Sequence, residues 1–300
     1  MVTVFLRGGL GNQMFQYAAA LAVAKRNGTD VVVDTVHIQD RLPRPHFTYR
    51  TFDLADVFLL DPPLTALSKV SRRVPIPGVW LGADLFAMNA AEFFGRRRII
   101  YEDERKELDR AVFEAKDNSI LYGRWEDERY FPESGKEVRA SFRFRHSLAG
   151  EAAALERDIC AGNSVSLHVR RGDRASVGVV TKLMGTTNAS YYKNAVEHVA
   201  KAVSSPKFFV FSDDIEWCKK NIVLDSPAVF VPASAAGPKG EFHLHLMSLC
   251  RHNIIANSTF SWWGAWLNEN PGKIVVGPKE WSASATASGK RVIPSSWVAL

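Results

Sequence analysis

Short apolar runs alternate with segments of helical periodicity through the second half of the chain. Residues 165–169 alternate apolar and polar side chains as a strand does, and residues 192–203 repeat apolar positions at helical spacing. Further apolar runs, separated by helical patterns or turns, lie at residues 208–211, 229–231, 253–256 and 274–276. Five strands separated by helices predict a parallel sheet that is covered on both faces.

The first half begins with a separate strand–turn–helix unit. Residues 2–6 predict a strand and residues 7–12 a glycine-rich turn; the helix that follows ends at Gly28, before a strand at 31–34. From 35 to about 144 the pattern loosens, because seven prolines interrupt it. We therefore predict two α/β domains, 1–150 and 151–300.

Composition narrows the class of protein. The 300 residues are 46% hydrophobic and 11% aromatic, which supports a large core and excludes a disordered, collagen-like or miniature fold. Lys and Arg number 38 against 32 Asp and Glu. The resulting net charge of +6 suits an anionic ligand and does not require nucleic acid.

Targeting signals are absent from the sequence pattern. No apolar stretch reaches the roughly 20 residues that a membrane-spanning helix needs. The N-terminal residues also lack the basic and apolar regions of a secretory signal. We expect a cytoplasmic protein without a transmembrane segment, located either free or peripherally at the inner face of the cell membrane.

Cysteines and histidines give no sign of a metal or a disulfide framework. Cys160, Cys218 and Cys250 are widely spaced and odd in number, so we expect three buried thiols. His243 and His245 flank one residue in an apolar helical run, without a convergent third ligand. No metal and no cofactor are predicted.

Basic residues follow the strand at 165–169. Arg170 and Arg171 are adjacent, with Asp173 two positions further on. Neighbouring guanidinium groups repel each other unless an anion or carboxylates lie between them, and phosphate accepts arginine in a bidentate manner. The pattern favours a diphosphate site; the alternative is an ion pair of Arg171 with Asp173 that leaves Arg170 merely exposed.

Acidic residues follow the next strand. Asp213 and Asp214 come directly after residues 208–212, where a carboxylate can accept hydrogen bonds from ribose hydroxyls or from the N1–H and amine of guanine. An aspartate at this position can also cap the following helix. We expect one of the two to cap the helix and the other to bind a nucleoside.

Small polar residues follow the strand at 253–256. Their hydroxyl and amide groups stand at the start of a helix, where free N–H groups suit phosphate oxygens. The candidates are Asn257, Ser258, Thr259 and Ser261. Trp262, Trp263 and Trp266 continue at helical spacing and are predicted to lie in the core.

The glycine-rich turn near the N-terminus differs from a dinucleotide-binding fingerprint. Gly9 and Gly11 match it, but Met14 stands where the last glycine belongs, which disfavours a nicotinamide-dependent oxidoreductase. The turn still allows a ligand to approach closely. We expect the amides of Asn12 and Gln13 to point into the crevice above it.

Four segments in order resemble the α-1,2-fucosyltransferases of glycosyltransferase family 11. They are RGGLGNQMFQYA at 7–18, SLHVRRGD at 166–173, FVFSDD at 209–214 and LMSLCRHNIIANSTFSWWGAWL at 246–267. GRWEDERYF at 123–131 and NASYYKNAV at 188–196 are also similar. The resemblance implies a GT-B-like fold, in which two Rossmann-type domains with parallel sheets face each other across a cleft.

The same resemblance implies the reaction and its partners. L-Fucose would pass with inversion from GDP-β-L-fucose to O2 of a terminal β-galactoside, on an oligosaccharide or a glycolipid-linked glycan, without a metal. The N-terminal domain would take the acceptor and the C-terminal domain the donor. The alternatives are a GDP-sugar-dependent fucosyltransferase with another linkage or a protein acceptor, an oxidoreductase, or a catalytically silent module.

Site roles also follow from the resemblance. It implies that Arg170 binds the diphosphate with Arg171 beside it, and that His168 and one of Asp213 and Asp214 bind guanosine. Phosphate or sugar would contact Asn257, Ser258, Thr259 and Ser261. Donor sugar or acceptor would contact Gly11, Asn12, Gln13 and Glu126.

The catalytic base is left open by the sequence. Asp173 is the first candidate, because it stands beside the arginines, and Glu126 and His37 are weaker ones. A phosphate oxygen of the leaving group could take the proton instead. The chain departs from the family pattern in three places, which puts the acceptor preference in question. Arg174 stands where the family has Tyr, Glu126-Asp127-Glu128 replaces Gln-Ser-Glu, and His243 replaces an acidic residue.

Overall fold

The chain folds into two compact units, Met1–Arg145 and His146–Leu300, which we call the N-terminal and C-terminal units. The computed structural model describes residues 1–43, 48–171, 189–281 and 292–300, and the statements below concern these residues. Asp173, Arg174 and Asn188 therefore lie outside the described part of the chain.

The N-terminal unit is built on a four-stranded parallel sheet. Its strands are β1 (Val2–Phe5), β2 (Val31–Asp34), β3 (Arg98–Tyr101) and β4 (Ser119–Tyr122), in the order β2-β1-β4-β3. Its helices are α1 (Leu10–Arg26), α2 (Val36–Gln39), α3 (Leu54–Val57), α4 (Ala66–Arg73), α5 (Val79–Phe93) and α6 (Gly135–Ser141). The sequence predicted β1, α1 and β2, whereas α2 to α6, β3 and β4 lie in the region from residue 35, to which the sequence pattern assigns no elements.

The C-terminal unit holds a six-stranded parallel sheet. Its strands are β5 (Ser164–Val169), β6 (Lys207–Ser212), β7 (Ala228–Phe230), β8 (His252–Ile254), β9 (Val275–Gly277) and β10 (Val298–Ala299), in the order β10-β9-β8-β5-β6-β7. Its described helices are α7 (Glu151–Cys160), α8 (Ala189–Ala202), α9 (Ile215–Asn221), α10 (Glu241–Leu249) and α11 (Thr259–Leu267). All five predicted strands are present, and β10 adds an edge strand.

Buried tryptophans and a polar network fix α11 beside the sheet. Trp262 and Trp263 are fully buried, and the Trp262 indole donates a hydrogen bond to the Val292 carbonyl at 3.0 Å, so the predicted core position of these residues is confirmed. The Asn253 amide donates to the Ser166 hydroxyl at 2.7 Å, and the Asn268 amide donates to Asn253 Oδ1 at 2.8 Å. These satisfied buried groups set the register of β5, β8 and the end of α11.

Two expectations about surface properties can be compared with the structure. Within the described ranges, no helix is both long enough and apolar enough to cross a lipid bilayer. Cys218 and Cys250 are buried as expected, but Cys160 is exposed, because it ends α7 on a side of the helix other than that of the buried Ala152 and Ile159. The expectation of three buried thiols is therefore wrong for Cys160.

Two buried carboxyl groups meet in the N-terminal unit. Asp34, at the end of β2, and Asp84, on α5, are each 4% exposed and share a hydrogen bond. Asp34 also accepts from the Val36 N–H at 2.9 Å and from the Thr65 hydroxyl at 2.8 Å, so it is the better placed of the two to carry the negative charge. Burial and the charge of Asp34 raise the pKa of Asp84 to about 8, which keeps Asp84 protonated at neutral pH.

Replacing Asp84 with asparagine should make the free energy of unfolding decrease less as the pH rises. The Asp84 carboxyl has a pKa of 3.8 in the unfolded chain and about 8 in the folded one. The folded state thus binds more protons between these values, and the free energy of unfolding falls as the pH rises through that window. The amide of Asp84→Asn still donates to Asp34 and does not titrate, so the variant should be less sensitive to pH.

Urea unfolding at about pH 5 and about pH 8.5 measures this difference. We expect the stability of Asp84→Asn relative to the native protein to increase by about 4 kcal/mol between the two conditions, at about 1.4 kcal/mol for each pH unit between about 5 and about 8. Asp61→Asn is a matched control, because Asp61 is exposed, and it should leave the dependence unchanged. An identical pH dependence in Asp84→Asn and the native protein would contradict the shared proton.

Candidate active site

Three strand ends come together in the C-terminal unit. Strand β5 lies between β6 and β8, and all three run in the same direction, so their carboxyl ends share one edge of the sheet. This edge carries residues 168–171, 212–214 and 257–259, which we call the strand-end cluster. Ligands of open parallel sheets bind at such edges. Most of the residues that the sequence suggested for donor binding therefore lie at one edge of the sheet.

Arg171 is held by the acidic residues that follow β6. Its backbone N–H donates to Asp213 Oδ1 at 2.8 Å, and its Nε lies 3.4 Å from Asp214 Oδ2. The guanidinium group stacks over the Trp217 ring, 4.0 Å from the ring centre. Arg171 thus pairs with Asp214 and stacks on α9, which couples the ends of β5 and β6. Arg170, the other member of the pair, is half-buried at the end of β5.

Asp213 and Asp214 have different structural roles. Asp214 caps α9: its carboxylate accepts from the Trp217 N–H at 3.1 Å, and its own N–H donates to the Ser212 hydroxyl at 2.9 Å. Asp213 is exposed beside it. The prediction that one of the two caps the helix is confirmed, and Asp213 is left as the candidate for nucleoside binding.

The residues after β8 divide between the surface and the core. His168 and Ser258 are nearly buried, at 7% and 3% exposed, and Asn257 donates to the Trp281 carbonyl at 3.4 Å. Thr259 is half-buried at the start of α11. Ser261 is fully buried, and its hydroxyl donates to the Ser258 carbonyl at 3.2 Å. The expectation that Ser261 contacts a phosphate or sugar is contradicted, because its helical position turns it into the core.

In the N-terminal unit, the turn after β1 places the neighbouring amides of Asn12 and Gln13 in different surroundings. Gly8 has φ +82°, and a Cβ there would lie 3.0 Å from Asn12, so glycine makes room for the asparagine. Asn12 is half-buried, and its Nδ2 donates to Glu126 Oε1 at 2.6 Å. Gly11, beside it, is buried.

Gln13 has a structural role in the same turn. It is fully buried; its amide N–H groups donate to the Gly8 and Thr51 carbonyls at 3.1 and 2.8 Å, and its Oε1 accepts from the Asp53 N–H at 3.0 Å. Adjacent residues on a helix point about 100° apart, so Gln13 faces inward where Asn12 does not. The expectation that Gln13 points into a ligand crevice is therefore wrong.

The segment at residues 123–127, which we call the Glu126 loop, has a constrained backbone. A Cβ on Gly123 would lie 2.5 Å from the Glu102 side chain, so only glycine fits there. Glu102 Oε2 accepts from the Arg124 and Trp125 N–H groups at 2.6 and 2.9 Å. Trp125 has φ +55°, a left-handed conformation that is costly for a bulky residue, and its ring is fully buried against Tyr130.

This loop places a carboxylate beside Asn12. Glu126 follows the strained tryptophan and is 7% exposed, and its Oε1 accepts the Asn12 amide. Strained backbone of this kind is often found where a functional side chain must be positioned. The sequence did not reveal the roles of Glu102 and Trp125, although Gly123 was a signal of close packing. Asp127 caps the next turn and pairs with Arg129 at 2.6 Å.

His37, His243 and His245 lie away from the strand-end cluster. His37, on α2, packs 5.7 Å from the Phe5 ring. His243 Nε2 lies 3.2 Å from the Pro232 carbonyl, and burial lowers the pKa of both His243 and His245. In the part of the chain that the structure describes, no group of three or more His, Cys, Asp or Glu side chains is arranged to hold a metal ion.

Comparison with known proteins identifies the family. The model of glycosyl transferase family 11 matches residues 100–300. The chain belongs to this family. It is therefore a glycosyltransferase, and the resemblance read from the sequence motifs is confirmed.

Relatives of this family 11 member act on different sugars. The O-antigen biosynthesis glycosyltransferase WbnK of Escherichia coli is 31% identical, over 98% of this chain and 99% of its own length. An α-1,2-colitosyltransferase of the same species is 31% identical over 99% of this chain and 98% of its own length. Galactoside α-(1,2)-fucosyltransferase 1 of Saimiri boliviensis boliviensis is 27% identical over 88% of this chain and 64% of its own length.

Solved structures share the fold of this family 11 chain. Fucosyltransferase NodZ from Bradyrhizobium has a TM-score of 0.52 at 17% identity, covering 88% of this chain and 91% of NodZ. A variant of Arabidopsis thaliana FUT1 in complex with GDP has a TM-score of 0.51 at 12% identity, covering 91% and 69%. With a parallel α/β sheet in each unit, these likenesses confirm the predicted GT-B-like fold class.

Proposed function

We propose that this family 11 glycosyltransferase moves L-fucose from GDP-β-L-fucose to O2 of a terminal β-galactoside, with inversion, to form an α-1,2 linkage. The donor assignment is supported by the strand-end cluster, where His168 on β5 and Arg170 directly after it lie at the same sheet edge as Asp213 after β6. Cationic and acidic groups at adjoining strand ends suit the diphosphate and the guanosine of one nucleotide.

The donor would lie on the C-terminal unit, residues 151–300 in the division expected from sequence. Arg170 binds the diphosphate, while His168 and Asp213 contact the guanosine. Ser258, Asn257 and Thr259, at the start of α11, contact phosphate or sugar oxygens. Arg171 supports this arrangement by joining β5 to α9 through Asp214 and Trp217.

Residues 1–150 would take the acceptor. Here the candidate groups are Asn12, Gly11 and Glu126, which the turn after β1 and the Glu126 loop bring together. The acceptor class that we propose is a galactoside on an oligosaccharide or a lipid-linked glycan. For the lipid-linked case, the enzyme would work peripherally at a membrane surface.

The reaction needs two things from these residues: stabilisation of the leaving GDP and removal of a proton from the acceptor. Fucosyl transfer builds negative charge on the leaving GDP, so a fixed guanidinium at Arg170 acts where that charge develops. The acceptor hydroxyl must lose a proton as the new bond forms. Asp173 and Glu126 are the candidate bases, and Glu126 is supported by its hydrogen bond with Asn12.

A second donor is favoured by one of the comparisons. The Escherichia coli relative named α-1,2-colitosyltransferase is as similar to this chain as WbnK is. Colitose is fucose without its 3-hydroxyl group, so the two donors share the diphosphate and guanosine that the strand-end cluster would bind. The choice between them rests on contacts with that single hydroxyl group.

The function is tested with GDP-fucose and GDP-colitose, each offered with a panel of β-galactosides, and with the linkage of the product read by NMR. We expect an α-1,2 product with GDP-fucose, and unchanged activity in the presence of EDTA. Transfer from GDP-colitose but not from GDP-fucose would show that colitose is the sugar transferred. Loss of activity on chelation would contradict metal independence. Separate thermal unfolding with GDP, UDP and NAD should show stabilisation by GDP first; first stabilisation by NAD would overturn the assignment.

A further inference from the structure

Helix α5 presents large apolar side chains to solvent. Among its residues only Asp84 and Met88 are buried. Val79, Phe86 and Phe93 are 52%, 76% and 86% exposed and recur every seventh residue, so they lie along one face of the helix. An ordinary surface helix shows the opposite arrangement, with polar residues outward.

The exposed apolar surface extends beyond this face. Phe94, directly after α5, is 69% exposed. On the α4 side, Val70, Val74 and Ile76 are 40%, 50% and 45% exposed, and α4 packs against α5. We call Val70, Val74, Ile76, Val79, Phe86, Phe93 and Phe94 the α5 surface. Contiguous exposed apolar surface marks an interaction site more often than scattered single residues do.

Exposed cations precede and follow helix α5 along the chain. Lys69, Arg72 and Arg73 are exposed in α4, and Arg96 and Arg98 are exposed just after α5. Between residues 62 and 98 the acidic residues are Asp84, which is buried, and Glu92. The segment that carries the α5 surface therefore exposes five cations and one acidic side chain, which gives it a net positive charge.

We propose that the α5 surface docks the N-terminal unit onto an anionic lipid bilayer. Phenylalanine rings partition into the interfacial region of a bilayer, while arginine and lysine pair with anionic headgroups. A second copy of this chain fits less well, since a two-fold contact through the same patch would bring two sets of arginines together. The charge pattern thus selects a negatively charged partner surface.

Docking of this kind would bring the enzyme to a lipid-linked acceptor. In this respect the inference rests on the proposed function, which places a glycan acceptor on a lipid. Binding to lipid can nevertheless be measured without any turnover. Failure of the docking surface and failure of the proposed reaction are therefore separate results.

Vesicle sedimentation tests the proposal with the full chain. The probes are vesicles of phosphatidylcholine alone and of phosphatidylcholine with phosphatidylglycerol. We expect the native protein to bind the anionic vesicles and to bind the neutral ones at least about tenfold more weakly. The double variant Phe86→Ser with Phe93→Ser should reduce binding to anionic vesicles by about tenfold or more. Reversal of charge in Arg72→Glu with Arg73→Glu should do the same.

Matched variants separate lipid binding from misfolding. Phe86→Trp with Phe93→Trp should retain binding, because tryptophan suits the bilayer interface. Val223→Ser removes an apolar side chain that is 82% exposed in the C-terminal unit, and it should bind like the native protein. All these positions are exposed, so unfolding temperatures should stay close to the native value.

Three outcomes would overturn the proposal. One is equal binding of the native protein to neutral and anionic vesicles, or binding to neither. Another is undiminished binding by the double serine variant. The third is a native dimer in light scattering that the double serine variant converts to a monomer, since the α5 surface would then be covered by a second copy.

Discussion

Arg170→Ala should lower the rate of glycosyl transfer by about tenfold to a hundredfold or more, while the protein stays folded. A charge-assisted hydrogen bond contributes about 1.5–3 kcal/mol, and every 1.4 kcal/mol corresponds to about a tenfold change in rate. Arg170 directly follows β5, at the edge where we place the diphosphate of the donor. Because negative charge grows on the leaving phosphate in the transition state, the loss should be larger in kcat than in the affinity for GDP.

Steady-state kinetics with the donor varied, alongside GDP binding, measure this effect. Arg171→Ala is the informative partner variant, because its guanidinium stacks on Trp217 and lies 3.4 Å from Asp214. We expect Arg171→Ala to lower the unfolding temperature and to affect transfer less than Arg170→Ala does. Near-normal turnover by a folded Arg170→Ala protein would contradict the placement of the diphosphate at this strand end.

Glu126→Gln should reduce kcat by about a hundredfold or more if Glu126 takes the proton from the acceptor hydroxyl, since general base catalysis contributes about 10²–10⁴. The variant keeps the shape of the side chain, and its carbonyl can still accept the Asn12 amide that now lies 2.6 Å from Oε1. Only the ability to accept a proton is lost. Stabilisation by GDP should therefore be unchanged, because the donor would lie on the C-terminal unit.

The pH profile and two control variants make this result specific. The acidic limb of kcat/KM should disappear in Glu126→Gln, which a purely structural role would not cause. Glu133→Gln changes an exposed carboxylate in the following turn and should leave transfer unaltered. If Glu126→Gln retains native kcat and Asp173→Asn loses it, the base is Asp173 and Glu126 is not catalytic.

Prediction from sequence worked well where pattern and topology agree. Alternation marks β5 and apolar runs mark β6 and the end of β8, and parallel strands place their carboxyl ends on one edge. The location of the strand-end cluster follows from these two facts. Local chemistry was equally readable for Asp214, because an aspartate just before a helix has a short-range capping partner in the Trp217 N–H.

Prediction from sequence failed for the direction of some polar side chains, which can point either into the core or toward the surface. Gln13 and Ser261 were grouped with ligand-facing residues, and both are fully buried. Ser261 bonds to the nearby Ser258 carbonyl, so its burial follows from how α11 is rotated. The partners of Gln13 instead include Thr51 and Asp53, some 38 to 40 residues away. A partner so distant in sequence leaves no mark on the local pattern, so the direction of such a side chain is not readable beforehand.

The sequence alone determined the family, the parallel sheet of the C-terminal unit and the strand ends that carry polar chemistry, since these follow from local periodicity and motifs. Tertiary structure decided the rotation of α5, which buries Asp84 against Asp34 and exposes Phe86 and Phe93. It also decided the hydrogen bond between Asn12 and Glu126, whose residues are 114 positions apart. The physical reason is that α5 has apolar residues on all sides, so only contacts with distant elements select the face that is buried.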